Sequence, residues 1–140
     1  MNIIRATETW HTAAVHYLRI QIALDLGISL ADEIDEKPGD ACDYLLIMEG
    51  ETPVAAGRLR QYQGQAKFER ICVAPHFQGR GTGSLLIREM EKWAAERGFR
   101  QVLITSKWEV RNFYLQLGYQ MEGEKVEGGL FSLIHVTKTL

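Results

Sequence analysis

Two cysteines, Cys42 and Cys72, are all the chain has, too few for a disulfide scaffold or a four-cysteine zinc site. Three prolines leave no room for a proline-rich linker. No apolar run approaches the ~18 residues of a membrane span. The charge is nearly balanced, with Lys+Arg 16 against Asp+Glu 18 and a net −2, so the basic excess of a nucleic-acid binder is missing. The opening Met1-Asn2-Ile3-Ile4-Arg5 lacks the basic segment and apolar core of a secretory signal, and the expected compartment is the cytoplasm. Neither nucleic acid nor membrane is an expected partner, and no metal is expected. What remains is ordinary globular material, 46% hydrophobic and 24% charged, and 140 residues fit one domain over 1–140. A chain of this size buries about two-thirds of its unfolded surface and needs no staple. Glycine is in slight excess at thirteen.

No repeat or low-complexity tract interrupts the chain. Residues 2–6 suggest a strand, and Thr7 or Thr9 could cap the helix that follows over 10–26. Its apolar stripe reads Ala14, Tyr17, Leu18, Ile22 and Leu26, and Gly27 would end it. Residues 30–43 are acidic, with Pro38-Gly39 inside, and read as a solvated loop with room for one helical turn. Two strands over 44–48 and 53–60 flank a turn at Glu49-Gly50-Glu51, a hairpin signal. A further strand over 66–74 stops at Pro75. An amphipathic helix over 82–97 carries Leu86, Met90, Trp93 and Ala94 on one stripe, with Gly98 as its C-cap. A buried-type strand over 101–105, a short helix over 110–117 and two strands over 119–125 and 130–138 complete the order β-α-β-β-β-α-β-α-β-β. That order is mixed α/β, with antiparallel meanders around a crossover helix.

The chemistry concentrates in Ile71-Cys72-Val73-Ala74-Pro75-His76-Phe77-Gln78-Gly79-Arg80-Gly81-Thr82-Gly83-Ser84. A strand ends at a proline, and three glycines at alternate positions run into a helix. Backbone N–H groups in such a turn converge on one point, and the helix adds its positive end, so the turn suits a phosphate. The competing reading is a tight strand–helix connection in which the glycines only relieve strain. A Walker loop would need Gly-Lys-Ser/Thr, and a dinucleotide fingerprint would need Gly-x-Gly-x-x-Gly; neither is present.

Gln78-Gly79-Arg80-Gly81-Thr82-Gly83 resembles the Gln/Arg-x-x-Gly-x-Gly/Ala pyrophosphate loop of the GNAT superfamily of N-acetyltransferases. Val73-Ala74-Pro75 looks like the end of that family's fourth strand, Leu85-Leu86 and their helix like its third helix. Phe113-Tyr114-Leu115-Gln116-Leu117-Gly118-Tyr119 resembles its Phe-Tyr-x-x-x-Gly-Phe/Tyr signature. Together these cover 44–121, and segments around 27–36 and 128–130 look like the small ElaA-like branch. The resemblance implies a mostly antiparallel sheet of six to seven strands flanked by helices, with strands four and five splayed to form an acetyl-CoA cleft. It implies an enzyme using acetyl-CoA as cosubstrate, without metal, to acetylate a primary amine of a small molecule or peptide by direct attack in a ternary complex. It also admits a homodimer.

Carried over residue by residue, the resemblance assigns the pyrophosphate to Gln78, Gly79, Arg80, Gly81, Thr82, Gly83 and Ser84. The backbone of Ile71, Cys72 and Val73 would pair with the pantetheine arm as an added strand would. Tyr114 is the implied acid that protonates the leaving thiolate; the competing role is packing of its helix. Glu69 has two readings. Strand alternation would put 69, 71 and 73 on one face, making Glu69 a general base, or its carboxylate pairs with Arg58 or Lys67. Thr105 stands where some relatives carry a histidine, which counts against a base at that position. Cys72 reads as a small buried strand residue more readily than as a nucleophile. His11, His16 and His135 show no metal spacing, and His76 reads as a turn residue. Trp108 and Asn112 suit the cleft rim or the cover of the core. The carboxylates of 32–43 would either attract a cationic amine or face solvent. The function from another class is a catalytically idle acyl-CoA-binding sensor, which would keep the glycine loop but has no use for Tyr114.

Overall fold

The computed structural model describes residues 1–140. Seven strands make one sheet: β1 (Asn2–Arg5), β2 (Asp43–Glu49), β3 (Thr52–Tyr62), β4 (Gln65–Val73), β5 (Gln101–Lys107), β6 (Gln120–Glu127) and β7 (Ser132–Thr139). Their spatial order is β1-β2-β3-β4-β5-β7-β6. Only β4 and β5 run parallel; every other neighbouring pair is antiparallel. The helices are α1 (Thr9–Leu26), α2 (Leu30–Glu33), α3 (Thr82–Glu96) and α4 (Arg111–Gln116). The mixed α/β class and its mostly antiparallel sheet are those read from the sequence. No helix is long and apolar enough to cross a membrane.

The sheet has a core on each face. On the back, Leu45, Ile47, Phe68 and Ile104 pack against Leu86 and Met90 of α3 and Tyr114 of α4. On the front, Tyr44, Leu46, Met48 and Ala56 pack against Val15 and Leu18 of α1. β2 is therefore apolar without alternation, because both of its faces are covered. Each such side chain contributes about 1.5–3 kcal/mol by leaving water. β3 runs so close beneath α3 that a Cβ on Gly57 would lie 2.5 Å from the Met90 sulfur.

α1 departs from its expected stripe. It buries Val15, Leu18 and Ala23 together with His11 and Arg19, while Tyr17 and Leu26 face out. Neither threonine caps it: the Nδ1 of His11 accepts the N–H groups of Thr7 and Glu8, each at 3.1 Å. Arg19 goes inward because its partners lie there. Its Nε donates to Glu33 at 3.2 Å and its Nη2 to Glu36 at 2.9 Å, with the guanidinium 1% exposed.

Residues 30–43 hold the single helical turn the sequence left room for and are otherwise largely exposed loop, but Glu33 and Glu36 turn inward. Ser29 Oγ accepts the Asp32 N–H at 3.1 Å and starts α2. Glu33, Asp35 and Glu36 then fold onto arginines. Arg58 grips both oxygens of Asp35, at 2.7 and 3.2 Å, and Arg70 reaches Asp35 at 3.0 Å. Hydrogen bonding to Arg58 holds the Asp35 carboxyl well below the ordinary carboxylate range. Burial pushes Glu36 upward, but hydrogen bonds from Arg19 and Tyr44 outweigh it and hold the carboxyl at about 2. With these charges neutralised, they no longer form a free acidic wall.

Candidate functional site

β4 and β5 pair at three positions only, Ala66 with Val102, Lys67 with Leu103 and Phe68 with Ile104. Beyond them the strands separate. β4 continues to Val73 bonded to β3 alone, and β5 continues to Lys107 bonded to β7 alone. A V-shaped gap opens, and one edge of residues 69–73 is left without a strand partner.

A bulge lies at the apex. Ala56 pairs with Cys72 and Arg58 with Glu69, so Gly57 faces both Arg70 and Ile71. Arg70 takes a left-handed backbone, φ 50°, uncommon for a residue with a side chain. The extra residue reverses the side-chain parity. Before it Phe68 points to the back core; after it Ile71 and Val73 do. Glu69 therefore shares the front face with Arg58 and Cys72, opposite Ile71 and Val73. The expected common face of 69, 71 and 73 is corrected: alternation holds only in an unbulged strand. The Glu69 carboxylate accepts from Arg58 Nε at 3.1 Å and Arg60 Nη2 at 2.9 Å, with Lys67 at 3.5 Å. The ion pairing that the sequence suggested for Glu69, with Arg58 and Lys67, is present.

Past β4, a 3-10 turn (Pro75–Phe77) leads into the glycine loop. Gly79 and Gly81 are left-handed, φ 74° and 80°, and a Cβ on either would meet nothing within 4 Å. The space is open, so backbone shape is what requires glycine there. None of the N–H groups from Gly79 to Ser84 finds a backbone acceptor. Six consecutive donors at the start of a fifteen-residue helix are a ready anion site. Gly83 is glycine for a different reason: its Cβ would stand 3.3 Å from Phe113 Cζ and 3.7 Å from Val73 Cγ2. Loop, strand end and α4 meet at that point. Gln78 braces the loop, its Nε2 donating to the Val73 carbonyl at 3.1 Å. Arg80 lies over the Phe77 ring, 5.4 Å from its centre, and has no carboxylate partner.

Tyr114, on α4, is 7% exposed and packs edge-on against Phe113 and Tyr119. Burial pushes its phenol up to about 12. By contrast, the Tyr119 hydroxyl donates to Glu91 at 2.7 Å and serves the core. Burial likewise pushes the Cys72 thiol up to about 12, which favours its protonated form. His76 is exposed on its turn, and Asn112 is exposed on α4. Trp108 is covered by Arg111, whose guanidinium carbon lies 3.8 Å from the ring centre.

One residue on this face escaped the sequence. Thr105, the first β5 residue beyond the last β4 pair, lies opposite His135 of β7, with Oγ1 and Nδ1 3.0 Å apart. A histidine does stand beside the apex, but it comes from a strand thirty positions later. Only the β5–β7 register could have revealed it.

Residues 40–121 match the family model described as an acetyltransferase (GNAT) domain. An uncharacterised N-acetyltransferase, YjcF of Bacillus subtilis, is 31% identical over 110 residues, 78% of each chain. A solved Lactobacillus plantarum chain, provisionally assigned as an N-acetyltransferase, superposes with a TM-score of 0.92 at 27% identity over 99% of this chain and 97% of that one. Escherichia coli ElaA superposes at 0.82 with 15% identity over 98% and 97%, a likeness of fold alone. So does an aminoglycoside 6'-N-acetyltransferase solved with coenzyme A, at 0.79 with 15% identity over 99% and 97%.

Proposed function

The chain belongs to the GNAT acetyltransferase family, and from that premise we propose that it moves an acetyl group from acetyl-CoA to a primary amine of a small molecule or peptide, by direct attack in a ternary complex. The observation that carries the reading is the run of six unpartnered N–H groups at 79–84 beside the unpaired edge of 69–73. The first suits a pyrophosphate, the second an extended amide-bearing arm, and coenzyme A has both. Gly79, Gly81, Thr82, Gly83 and Ser84 offer their amides, and Arg80 adds a charge at the rim. Ile71, Cys72 and Val73 offer backbone groups, one of whose N–H donors can stabilise negative charge building on the acetyl oxygen.

Bound acetyl-CoA supplies an activated thioester. In the transfer a C–N bond forms and the C–S bond breaks; the nitrogen loses a proton and the sulfur gains one. Tyr114 stays protonated at neutral pH, as an acid must. A phenol at about 12 nevertheless lies some three to four pH units above an ordinary thiol, an uphill transfer of about 5 kcal/mol. Tyr114 therefore acts first as a hydrogen-bond donor to the developing thiolate. It completes the transfer only as a proton from the nitrogen replaces its own.

One observation favours the idle acyl-CoA-binding module instead: arginines hold the nearest carboxylate, Glu69. Turnover decides between them. Purified protein is mixed with acetyl-CoA and a panel of primary amines, and free thiol is followed. Amine-dependent thiol release supports transfer; tight acetyl-CoA binding without release from any amine supports the module.

A further inference from the structure

Side chains on the front of the sheet form a row across five strands beside the V-shaped gap. On one side stand Thr105 of β5, His135 of β7 opposite it, and Glu122 of β6 opposite His135. On the other stand Glu69 and its partner Arg58. The gap opens between Thr105 and Glu69, directly after the Phe68–Ile104 pair. The front assignment follows from neighbours in sequence: Ile104, Ile134 and Val136 all point into the back core. His135 is exposed on the front, and with Lys67, Leu103, Glu122 and Tyr62 it lines an open cavity of about 400 Å³.

An attacking amine arrives mostly as an ammonium ion and must first lose a proton. Two side chains flank the gap with the chemistry to take it. Glu69 has its oxygens committed to Arg58 and Arg60. His135 has one nitrogen engaged, Nδ1 with Thr105, and Nε2 free. If Nδ1–H donates to Thr105 Oγ1, Nε2 holds the lone pair of a base. Imidazole is also the side chain that changes charge between pH 5 and 8. The groups around it are Glu122 across the β6–β7 ladder, Lys67 of β4 and Tyr62 at the end of β3, with Glu69 across the gap.

Resting on the acetyl-transfer reading, we propose that His135 is the general base and Thr105 the positioning residue that fixes its tautomer. The ammonium nitrogen gives one proton to Nε2, leaving a neutral amine and an imidazolium. The amine then attacks, and the imidazolium returns its proton to solvent after turnover. The cavity beside His135 receives the acceptor. Tyr62 and Leu103 give it an apolar wall, and the Glu122 carboxylate draws in the cation.

The test uses the amine turned over fastest among 2-phenylethylamine, spermidine and glycinamide. His135→Gln is expected to lower kcat on the order of 100-fold and to remove the rise of kcat/KM between pH 5 and 8. Acetyl-CoA affinity by calorimetry and the melting temperature should stay within error of wild type, since His135 is exposed. Thr105→Val should lower kcat without changing that affinity, and Thr105→Ser should restore it. In nitrogen-labelled wild-type protein at pH 8, the His135 resonances should show the proton on Nδ1. Turnover by His135→Gln with an unchanged pH profile, or a proton on Nε2, overturns the assignment while leaving acetyl transfer standing. Acetyl-CoA binding by wild type with no turnover of any amine overturns both.

Discussion

Arg58 Nε donates to Glu69 Oε1 across 3.1 Å, on the front of the sheet at the apex of the V. With Arg60 on the other oxygen, at 2.9 Å, the carboxylate acts as a structural anion. Glu69→Gln is expected to cost about 1.5–3 kcal/mol, the range for hydrogen bonds to charged groups, measurable by urea denaturation. Its kcat/KM should keep the wild-type dependence on pH. Loss of the rise between pH 5 and 8 in Glu69→Gln would restore Glu69 as the base.

Arg19 should be far less replaceable than its place on an amphipathic helix suggests. Arg19→Ala leaves the largely buried carboxylates of Glu33 and Glu36 without their main partner. Breaking a buried pair in this way costs about 3–5 kcal/mol. Thermal unfolding followed by circular dichroism should show a melting temperature lower by on the order of 10 °C. A shift of a degree or two would mean that the carboxylates find other partners.

The same cluster sets an acid limit. Glu36 titrates at about 2 in the folded chain, below its ordinary 4.5. A depressed carboxylate stabilises the fold above its unfolded pKa, and that contribution disappears as pH falls through the folded value. The window runs from about pH 5 down to 2, and Asp35, lowered further, extends it downward. The Glu36 contribution is about 3 kcal/mol as an upper figure. The urea midpoint should therefore be lower at pH 3 than at pH 7, and Glu36→Gln should reduce that difference. Equal midpoints at the two pH values would show that the ion pairs contribute nothing net.

Tyr114→Phe removes a hydroxyl with no partner inside the protein, so the fold should lose little. Turnover should fall about 10- to 100-fold while the Kd for acetyl-CoA is unchanged. Unchanged turnover would reduce Tyr114 to a packing residue.

The loop, the helix behind it and the order of elements along the chain were legible because each has a local cause. Glycines at 79, 81 and 83 announce themselves, and α3 carries a regular apolar stripe. Three features depended on distant partners. Arg19 faces inward only because Glu33 and Glu36 come back to it fourteen and seventeen positions later. Glu69 changes face because one residue of β3 opposes two of β4, which alternation cannot register. His135 reaches Thr105 through the pairing of β7 with β5. At each of these positions a polar side chain was placed by tertiary structure, and local pattern was silent about it.

The most direct test of acetyl-CoA use is calorimetric titration of acetyl-CoA into wild-type protein and Gly81→Asp. Gly81 has open space around its Cβ position, so the substitution adds a left-handed backbone strain and a carboxylate among six N–H groups that have no backbone acceptor. Wild type is expected to bind one equivalent, and Gly81→Asp to bind at least 100-fold more weakly while melting cooperatively. Equal binding by the two proteins, or none by wild type, would contradict the pyrophosphate site and the acyl transfer built on it.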